Sequence, residues 1–361
     1  MEYNDTLLIP GQRIRPPVTE KMAIDLLKQL YDLRATNVRE LDAYDDRNYH
    51  MLCDETHANP HITSIEKTGY VLKVINSLDS RKTDVLEAQN ELLIFLNQHN
   101  ICCPLPIKNV SGAYFSLENL KSHNTMEKYA VRLMIYRPGE LLCNVKMTDK
   151  LLYKVGNLAA KIDEILVGFN HPAYDNHRTL WMLTSLPRIQ QFTYAIKSSL
   201  DKQLVHDVIV TFQKEVLPIV DRLEQGFIHG DLNEQNIIMS PDGEDIAAVI
   251  DFGDCHRNCR IFELAITLCY MILQTSSVEM GRHVVEGYEK IKKLTDIEKK
   301  ILKISVCARI SQSLIMGAYS HLREPENQYL LSTQKTGWML LKRLWPMSQN
   351  DVMHAWGLVI P

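Results

Sequence analysis

The amino-acid sequence predicts an α+β protein of two lobes, with an antiparallel-sheet lobe over residues 1–136 and a mainly helical lobe over residues 137–361. Three observations lead to this prediction. From about 37 to 76 the chain consists of short runs of β-branched and aromatic residues separated by polar turns. Beyond 148 the apolar residues recur at helical spacing. The length of 361 residues suffices for about two domains of roughly 150 residues each.

The first lobe is predicted to begin with a helix and to contain a small antiparallel sheet. Thr19 is a suitable N-cap, because apolar residues follow at 23, 26, 27 and 30. A second helix is expected over 85–99, where helical periodicity returns. The predicted strands are NVRELDAY, NYHMLC, GYVLKVIN and, at 129–136, YAVRLMIY.

The second lobe is predicted to be helical except for one insert around 228–253. In that insert two short strand-like pieces, NIIM and IAAVI, flank polar turns, and most of the notable polar residues of this half lie there. The helices are expected at 149–167, 203–225, 260–274, 279–293, 296–321 and 326–344.

Composition and charge exclude several classes of protein. Hydrophobic residues make up 45% and charged residues 23%, as in ordinary globular proteins. The net charge of -4 gives no basic field for nucleic acid or anionic lipid, so neither nucleic acid nor a membrane is an expected partner. The eight cysteines form no C-x-x-C pair and the N-terminal segment has no secretory pattern. We therefore expect a cytoplasmic protein with reduced thiols, and no obligate protein partner is evident.

The strongest motif is FIHGDLNEQNIIM followed by AAVIDFGD. Phosphoryl transfer to a hydroxyl requires a carboxylate that orients the hydroxyl and accepts its proton, together with oxygen ligands for a metal ion at the phosphates. Asp231 fits the proton acceptor, while Asn236 and Asp251 fit the ligands of Mg²⁺. The two motifs occur in this order beside apolar strands, and this combination predicts a kinase.

The upstream parts of a nucleotide site are also predicted. Lys73 interrupts the apolar strand VLKVIN, where its ammonium can meet the α- and β-phosphates. Glu87 on the following helix can pair with Lys73, and Glu91 competes for that role. No glycine-rich phosphate loop precedes Lys73, so the turn AYDDRNY, with Asn48 and the amides near Asp46, is the candidate phosphate cover.

Two departures from protein kinases indicate a small-molecule acceptor. Gly230 stands where a protein kinase has an arginine that reads an activation-loop phosphate. Only about six residues separate Asp254 from the next apolar helix at Ile261, and no A-P-E follows. A peptide substrate would therefore have no docking shelf.

These motifs resemble those of the aminoglycoside phosphotransferase-type kinases, a family that includes choline, homoserine and fructosamine kinases. Within it the chain is similar to the hydroxylysine kinases from roughly 20 to 345, through AYDDRNY, YVLKV, AVRLMIYRPG, LLYKVGNLAAKID, IDFGD, FELAIT and ARISQSL. The resemblance implies the two-lobed protein-kinase-like fold, GTP as phosphate donor, and the hydroxyl of 5-hydroxylysine as acceptor, in lysine catabolism. The sequence leaves ATP open as the donor. The purine is expected against 132–136, with Met134 and Tyr136 as contacts.

Recognition of an amino-acid acceptor needs carboxylates for its amines and a cation for its carboxylate. Asp254 and Arg309 are the candidates, although Arg309 is as well explained as a buried residue that holds Glu263 or a loop carbonyl. We expect Glu263 to brace the catalytic loop and Trp181 to lie in the core. Two alternatives stay open: a kinase for another amino alcohol (choline, ethanolamine or homoserine), and a nucleotide-binding pseudokinase that acts as a scaffold.

Overall fold

A computed structural model of the chain describes residues 7–122 and 125–358. The chain divides after Pro138 into two compact units. The first is built on an antiparallel sheet and the second is mainly helical, so the predicted α+β class is confirmed.

The N-terminal unit contains a six-stranded sheet in which each strand pairs antiparallel with its neighbours. The order is β1-β2-β3-β6-β4, and β5 also pairs with β6. The sequence did not predict β4 and β5, which are respectively very short and mostly polar. The strands are β1 (Ala35–Leu41), β2 (Arg47–Cys53), β3 (Tyr70–Val74), β4 (Pro106–Ile107), β5 (Ser116–Ser122) and β6 (Thr125–Ile135).

Two helices accompany this sheet. Helix α1 (Glu20–Tyr31) begins where predicted, because the side chain of Thr19 accepts a hydrogen bond from Met22 N. Its apolar side packs in one core cluster with alternate residues of β2, β3 and β6, such as Leu72. Helix α2 (Thr83–Gln98) buries Leu86 in a separate cluster. Lys73, one residue beyond Leu72, therefore points to the face of the sheet opposite the α1 core.

The C-terminal unit is built around two long buried helices. Helix α6 is buried at nearly every position, and α8 buries most of its length. Among the described residues α8 is the one helix long and apolar enough to cross a membrane, and 89% of its most apolar window is covered by the rest of the protein. The helices are α3 (Asp149–Leu166), α4 (Leu186–Ile189), α5 (Ser199–Glu215), α6 (Ile261–Thr275), α7 (Gly281–Glu289), α8 (Asp296–Arg323), α9 (Gln334–Leu344) and α10 (Gln349–Ala355).

The bounds of α5, α7 and α9 differ from the prediction, and α7 (Gly281–Glu289) is shorter than the predicted 279–293. Helix α5 begins earlier, at a cap made by Ser198, and ends before Pro218, which cannot continue an α-helix. Helix α9 starts at Gln334 rather than 326, because a 3₁₀ turn over Gln328–Leu331 precedes it. Helix α10 was not predicted.

Two small antiparallel ribbons carry the polar loops of this unit. Strand β8 (Ile237–Met239) pairs with β9 (Ile246–Val249), as the two strand-like pieces suggested. Strand β7 (Gln225–Ile228) pairs with β10 (His256–Cys259), and these two strands were not predicted. Because β7 pairs with β10 and β8 pairs with β9, the loop between β7 and β8 lies beside the loop between β9 and β10. These two loops carry the two motifs found in the sequence.

Candidate active site

The loop that carries Asp231 is fixed by hydrogen bonds from both sides. Gly230 adopts a φ of +79°, and a Cβ at this position would lie 2.7 Å from the carbonyl oxygen of Asp254. Its N–H donates to Glu263 Oε2 on α6 at 3.0 Å. His229 donates through Nε2 to the carbonyl of Ile250 at 3.1 Å. The prediction that Glu263 braces this loop is confirmed.

The Asp231 carboxylate accepts three hydrogen bonds. Arg309 NH2 donates to Oδ1 at 2.6 Å, and the side-chain amides of Asn233 and Asn236 donate to Oδ2 at 2.9 and 3.0 Å. The carboxylate keeps 21% of its side-chain surface exposed. A carboxylate held in this way can present its remaining lone pairs to an incoming hydroxyl in a fixed orientation.

Arg309 lies on α8 with a side chain that is only 1% exposed. Its NH1 donates to the carbonyl of Trp181 at 3.2 Å and to Gln312 Oε1 at 2.9 Å. The guanidinium also lies over the rings of Trp181 and Tyr270. One of the two structural roles expected for Arg309, holding a loop carbonyl, is present, and its ion pair is with Asp231 rather than with Glu263. The expectation that Trp181 is an ordinary core residue was wrong, since it is half-buried beside this ion pair.

Asn236 and Asp251 lie next to Asp231. The Asn236 amide nitrogen donates to Asp231, which leaves the amide oxygen as the atom that a metal would take. Ile250 N donates to the Asn236 carbonyl at 2.9 Å, so the residue before Asp251 is tied to the same loop. Asp251 is exposed and adopts a left-handed conformation, with φ 58°. Strain of this kind is concentrated at functional sites.

The electrostatics agree with this proximity. Removal from water raises the pKa of Asp231 above its usual range; the Arg309 guanidinium opposes the increase and the charge of Asp251 adds to it. Burial also raises the pKa of Glu263 to about 7. Burial lowers the pKa of His229 to about 4, so this imidazole is neutral and holds the loop by hydrogen bonds alone.

Three further residues of the C-terminal unit bear on this site: Asp254, which the sequence predicted, and Glu234 and Tyr329, which it did not. Asp254 is half-buried, and its carbonyl lies 2.6 Å from His256 Nδ1. Glu234 is a carboxylate only 8% exposed within the catalytic loop itself. Burial raises the pKa of Tyr329, and the charges of Asp231, Glu234 and Asp251 raise it further, so Tyr329 is within electrostatic reach of all three. Glu234 could have been noticed in the motif, whereas no pattern marks Tyr329.

In the N-terminal unit, Lys73 forms an ion pair with Asp46 at 3.1 Å, and its side chain is only 7% exposed. Asp46 Oδ1 accepts from both the backbone and the side-chain nitrogen of Asn76, at 2.8 and 3.0 Å. Asn48 lies directly opposite Lys73 in the β2–β3 register. The buried Oδ1 of Asn48 has no hydrogen-bond partner in the described part of the chain. The turn singled out as a phosphate cover therefore supplies a carboxylate to Lys73.

Helix α2 carries Glu87 and Glu91, the two carboxylates expected as partners of Lys73. Both are exposed, and Lys73 forms an ion pair with Asp46. Gln89 of the same helix reaches the sheet, where it accepts from Arg132 NH1 at 3.0 Å. Arg132 is 3% exposed and lies opposite Lys73 across β3 and β6. It interrupts an apolar strand just as Lys73 does, so the signal was present in the sequence.

The two residues predicted beside the purine lie at the end of β6. Met134 is 9% exposed and pairs with Val71 of β3. Tyr136 follows the strand; its carbonyl accepts from the hydroxyl of Thr68 at 3.3 Å and its ring lies 3.9 Å from that of His50. Met134 and Lys73 belong to the same sheet, and Tyr136 directly follows its strand β6.

Comparison with known proteins agrees with this geometry. The model of the phosphotransferase enzyme family matches residues 59–296. The chain is 32% identical to a hydroxylysine kinase of Danio rerio, over 95% of this chain and 96% of the relative. It is 33% identical to a hydroxylysine kinase of Xenopus laevis, over 95% and 94% of the two chains. Among solved structures, amicoumacin kinase in complex with AMP-PNP, Ca²⁺ and amicoumacin has the same fold, with a TM-score of 0.66, 15% identity and coverage of 93% and 97%.

Proposed function

The chain belongs to the phosphotransferase enzyme family, within its hydroxylysine kinase branch, and from this premise we propose that it transfers the γ-phosphate of GTP to the side-chain hydroxyl of 5-hydroxy-L-lysine. Its activity as a small-molecule kinase that phosphorylates an alcohol group rests on the family. The acceptor, the donor and the roles of individual residues are the proposal.

The observation that carries the proposal is the Asp231 carboxylate, held by Arg309, Asn233 and Asn236. In the reaction the acceptor hydroxyl lies against this carboxylate and gives up its proton to it. The hydroxyl oxygen forms a bond to the γ-phosphorus as the bond to the β-γ bridging oxygen breaks, and the nucleoside diphosphate leaves with that electron pair. Arg309 keeps the carboxylate oriented, and Glu263 keeps its loop in place.

Asn236 and Asp251 fit a magnesium ion, because they offer an amide and a carboxylate oxygen beside the base. Magnesium, when bound, neutralises charge on the β- and γ-phosphate oxygens. In the N-terminal unit Lys73 would bind the α- and β-phosphates, with Asn48 and the turn at Asp46 as further donors. Met134 and Tyr136 would lie against the purine. The phosphates would then compete with the Asp46 carboxylate for Lys73.

Acceptor recognition is proposed to involve Asp254 and Arg309. Asp254 is half-buried beside the Asp251 loop and could take an amine. Arg309 is already bound to Asp231, so any contact with the acceptor carboxylate would be an addition to that bond. We further propose that the enzyme acts in the cytoplasm, in lysine catabolism. All eight cysteines, which lie in the described part, are free thiols, and this supports a reducing compartment.

The decisive experiment crosses two nucleotides with a panel of acceptors. Purified full-length protein is assayed by coupled release of nucleoside diphosphate with GTP and ATP, against 5-hydroxylysine, choline, ethanolamine and homoserine. We expect the highest kcat/KM with GTP and 5-hydroxylysine. Turnover of choline or homoserine without turnover of 5-hydroxylysine would contradict the proposed acceptor. Higher kcat/KM with ATP would contradict the proposed donor.

The same assay separates an enzyme from a nucleotide-binding scaffold. Asp231→Ala should lose several orders of magnitude in kcat while nucleotide still binds, because the proton acceptor is removed and the nucleotide groups are intact. A wild-type protein that binds nucleotide but shows no turnover with any acceptor, and a variant that behaves in the same way, would favour the scaffold.

A further inference from the structure

Glu234 is a buried carboxylate that the reaction described above does not use. It lies in the catalytic loop, three residues after Asp231, and is 8% exposed. Its Oε2 is buried and has no hydrogen-bond partner among residues 7–122 and 125–358. Buried polar groups are nearly always paired, so a carboxylate oxygen left unpaired beside the reacting group indicates that a ligand completes it.

The backbone at Glu234 is held by hydrogen bonds. Its carbonyl accepts from Cys143 N at 3.0 Å. The next residue, Gln235, donates its N–H to Asn233 Oδ1 at 2.8 Å. Asn233 itself holds Asp231. The two carboxylates therefore belong to one hydrogen-bonded loop, and the charge of Asp231 acts on Glu234.

The charge of Glu234 raises the pKa of Tyr270 and of Tyr329, so both tyrosines are within its electrostatic reach. The Arg309 guanidinium uses NH1 and NH2 to bind Trp181, Gln312 and Asp231. An unpaired buried carboxylate within reach of tyrosines is a suitable partner for an organic ammonium group.

We propose that Glu234 binds the ammonium group on the carbon next to the reacting hydroxyl, so that the site selects vicinal amino alcohols. The inference rests on the proposed function only in that a hydroxyl is phosphorylated at Asp231. In 5-hydroxylysine the amine on C6 is the neighbour of the C5 hydroxyl. Asp231 and Glu234, three residues apart on one loop, would take these two adjacent groups.

The test compares two acceptors that differ in one amine: 5-hydroxylysine and 2-amino-5-hydroxyhexanoic acid, which lacks the C6 amine. For Glu234→Gln we expect kcat/KM with 5-hydroxylysine to fall about 10- to 100-fold, mainly through KM, because a charge-assisted hydrogen bond is lost. With the acceptor that lacks the amine it should change less than about threefold. Glu244→Gln, which removes an exposed carboxylate on the β8–β9 ribbon, should leave both values unchanged.

Three outcomes would overturn the inference: no loss of kcat/KM with 5-hydroxylysine in Glu234→Gln, an equal loss with both acceptors, or an altered Mg²⁺ requirement, which would assign Glu234 to the metal. Nucleotide affinity and thermal unfolding report on folding. If the glutamine variant is unfolded, Glu234→Asp keeps the charge with a shorter reach, and should raise KM for 5-hydroxylysine alone.

Failure of the proposed function can be distinguished from failure of this inference. If the wild-type protein does not use 5-hydroxylysine, the same comparison is made with 1-amino-2-propanol and 2-propanol. Selectivity for the amine that depends on Glu234 would support the inference even though the proposed acceptor was wrong. If Glu234→Gln does not change the selectivity for the amine, the inference is wrong.

Discussion

Replacement of Arg309 by methionine is expected to slow phosphoryl transfer about a hundredfold. The change keeps an apolar side chain of similar length and removes the guanidinium that donates to Asp231 Oδ1 at 2.6 Å. A hydrogen bond to a charged group contributes about 1.5–3 kcal/mol, and breaking a buried ion pair costs roughly 3–5 kcal/mol. Asp231 keeps 21% exposure and its two amide donors, so the lower part of that range applies. About 3 kcal/mol corresponds to about a hundredfold in rate.

The assay is steady-state kinetics at saturating nucleotide. The loss should fall on kcat, because Arg309 contacts Asp231, the proposed proton acceptor, and none of the proposed nucleotide ligands. Arg309→Lys keeps the charge but cannot reproduce the fork that reaches Trp181 and Gln312, so about a tenfold loss is expected. Arg343→Met, at a 49% exposed arginine paired with Glu279, is the matched control and should be neutral.

Two results would refute this reasoning. A kcat within threefold of wild type in Arg309→Met would mean that Asp231 needs no cation to hold it. If only the KM for 5-hydroxylysine rises, with kcat unchanged and with 1-amino-2-propanol, which has no carboxylate, used as before, Arg309 serves the acceptor carboxylate and not Asp231. Unchanged nucleotide affinity shows in either case that the variant is folded.

Three further predictions concern stability and the nucleotide site. Gly230→Ala should lower both activity and the free energy of unfolding by more than Gly243→Ala, because both residues have positive φ but only the first lacks room for a Cβ; equal losses in urea unfolding would contradict this. Burial lowers the pKa of His229 and His256 to about 4, so the unfolded chain takes up protons at a higher pH than the folded protein does. The free energy of unfolding therefore falls as the pH drops from 6.5 towards 4, by about 2 kcal/mol for each histidine at pH 5. Urea unfolding at pH 7.5 and 5 measures that loss, and His256→Gln should remove about half of it, whereas an unchanged loss in this variant would contradict it. Lys73→Met should weaken nucleotide binding by at least tenfold in an equilibrium titration, and unchanged affinity would exclude Lys73 as a phosphate ligand.

Contiguous motifs were readable from the sequence because their members are held together by the local chain. The positions of Asp231 and Asn236 in one loop follow from their spacing, and the role of Glu263 was anticipated from its place at the start of an apolar helix. Helix α1 was likewise predicted from a cap and a periodic pattern. In each case the interaction spans few residues or depends on the period of one element.

Contacts between distant segments were not readable in the same way. The Arg309–Asp231 pair joins residues 78 positions apart, and its existence depends on where α8 crosses the catalytic loop. The pairing of β7 with β10 depends on the same assembly. Two pairs in the N-terminal unit are of the same kind: Lys73 of β3 contacts the Asp46 carboxylate in the turn before β2, and Gln89 of α2 contacts Arg132 of β6.

The sequence by itself determined the α+β class and the kind of chemistry and supplied the candidate residues for it, because periodicity and motif spacing are properties of short stretches of chain. Only the tertiary structure decided which charged groups pair with each other, and that Glu234 is buried with an unpaired oxygen in the loop that carries Asp231. The reason is physical: the energy of a buried charge depends on what surrounds it after the helices have packed, and those neighbours come from everywhere along the chain.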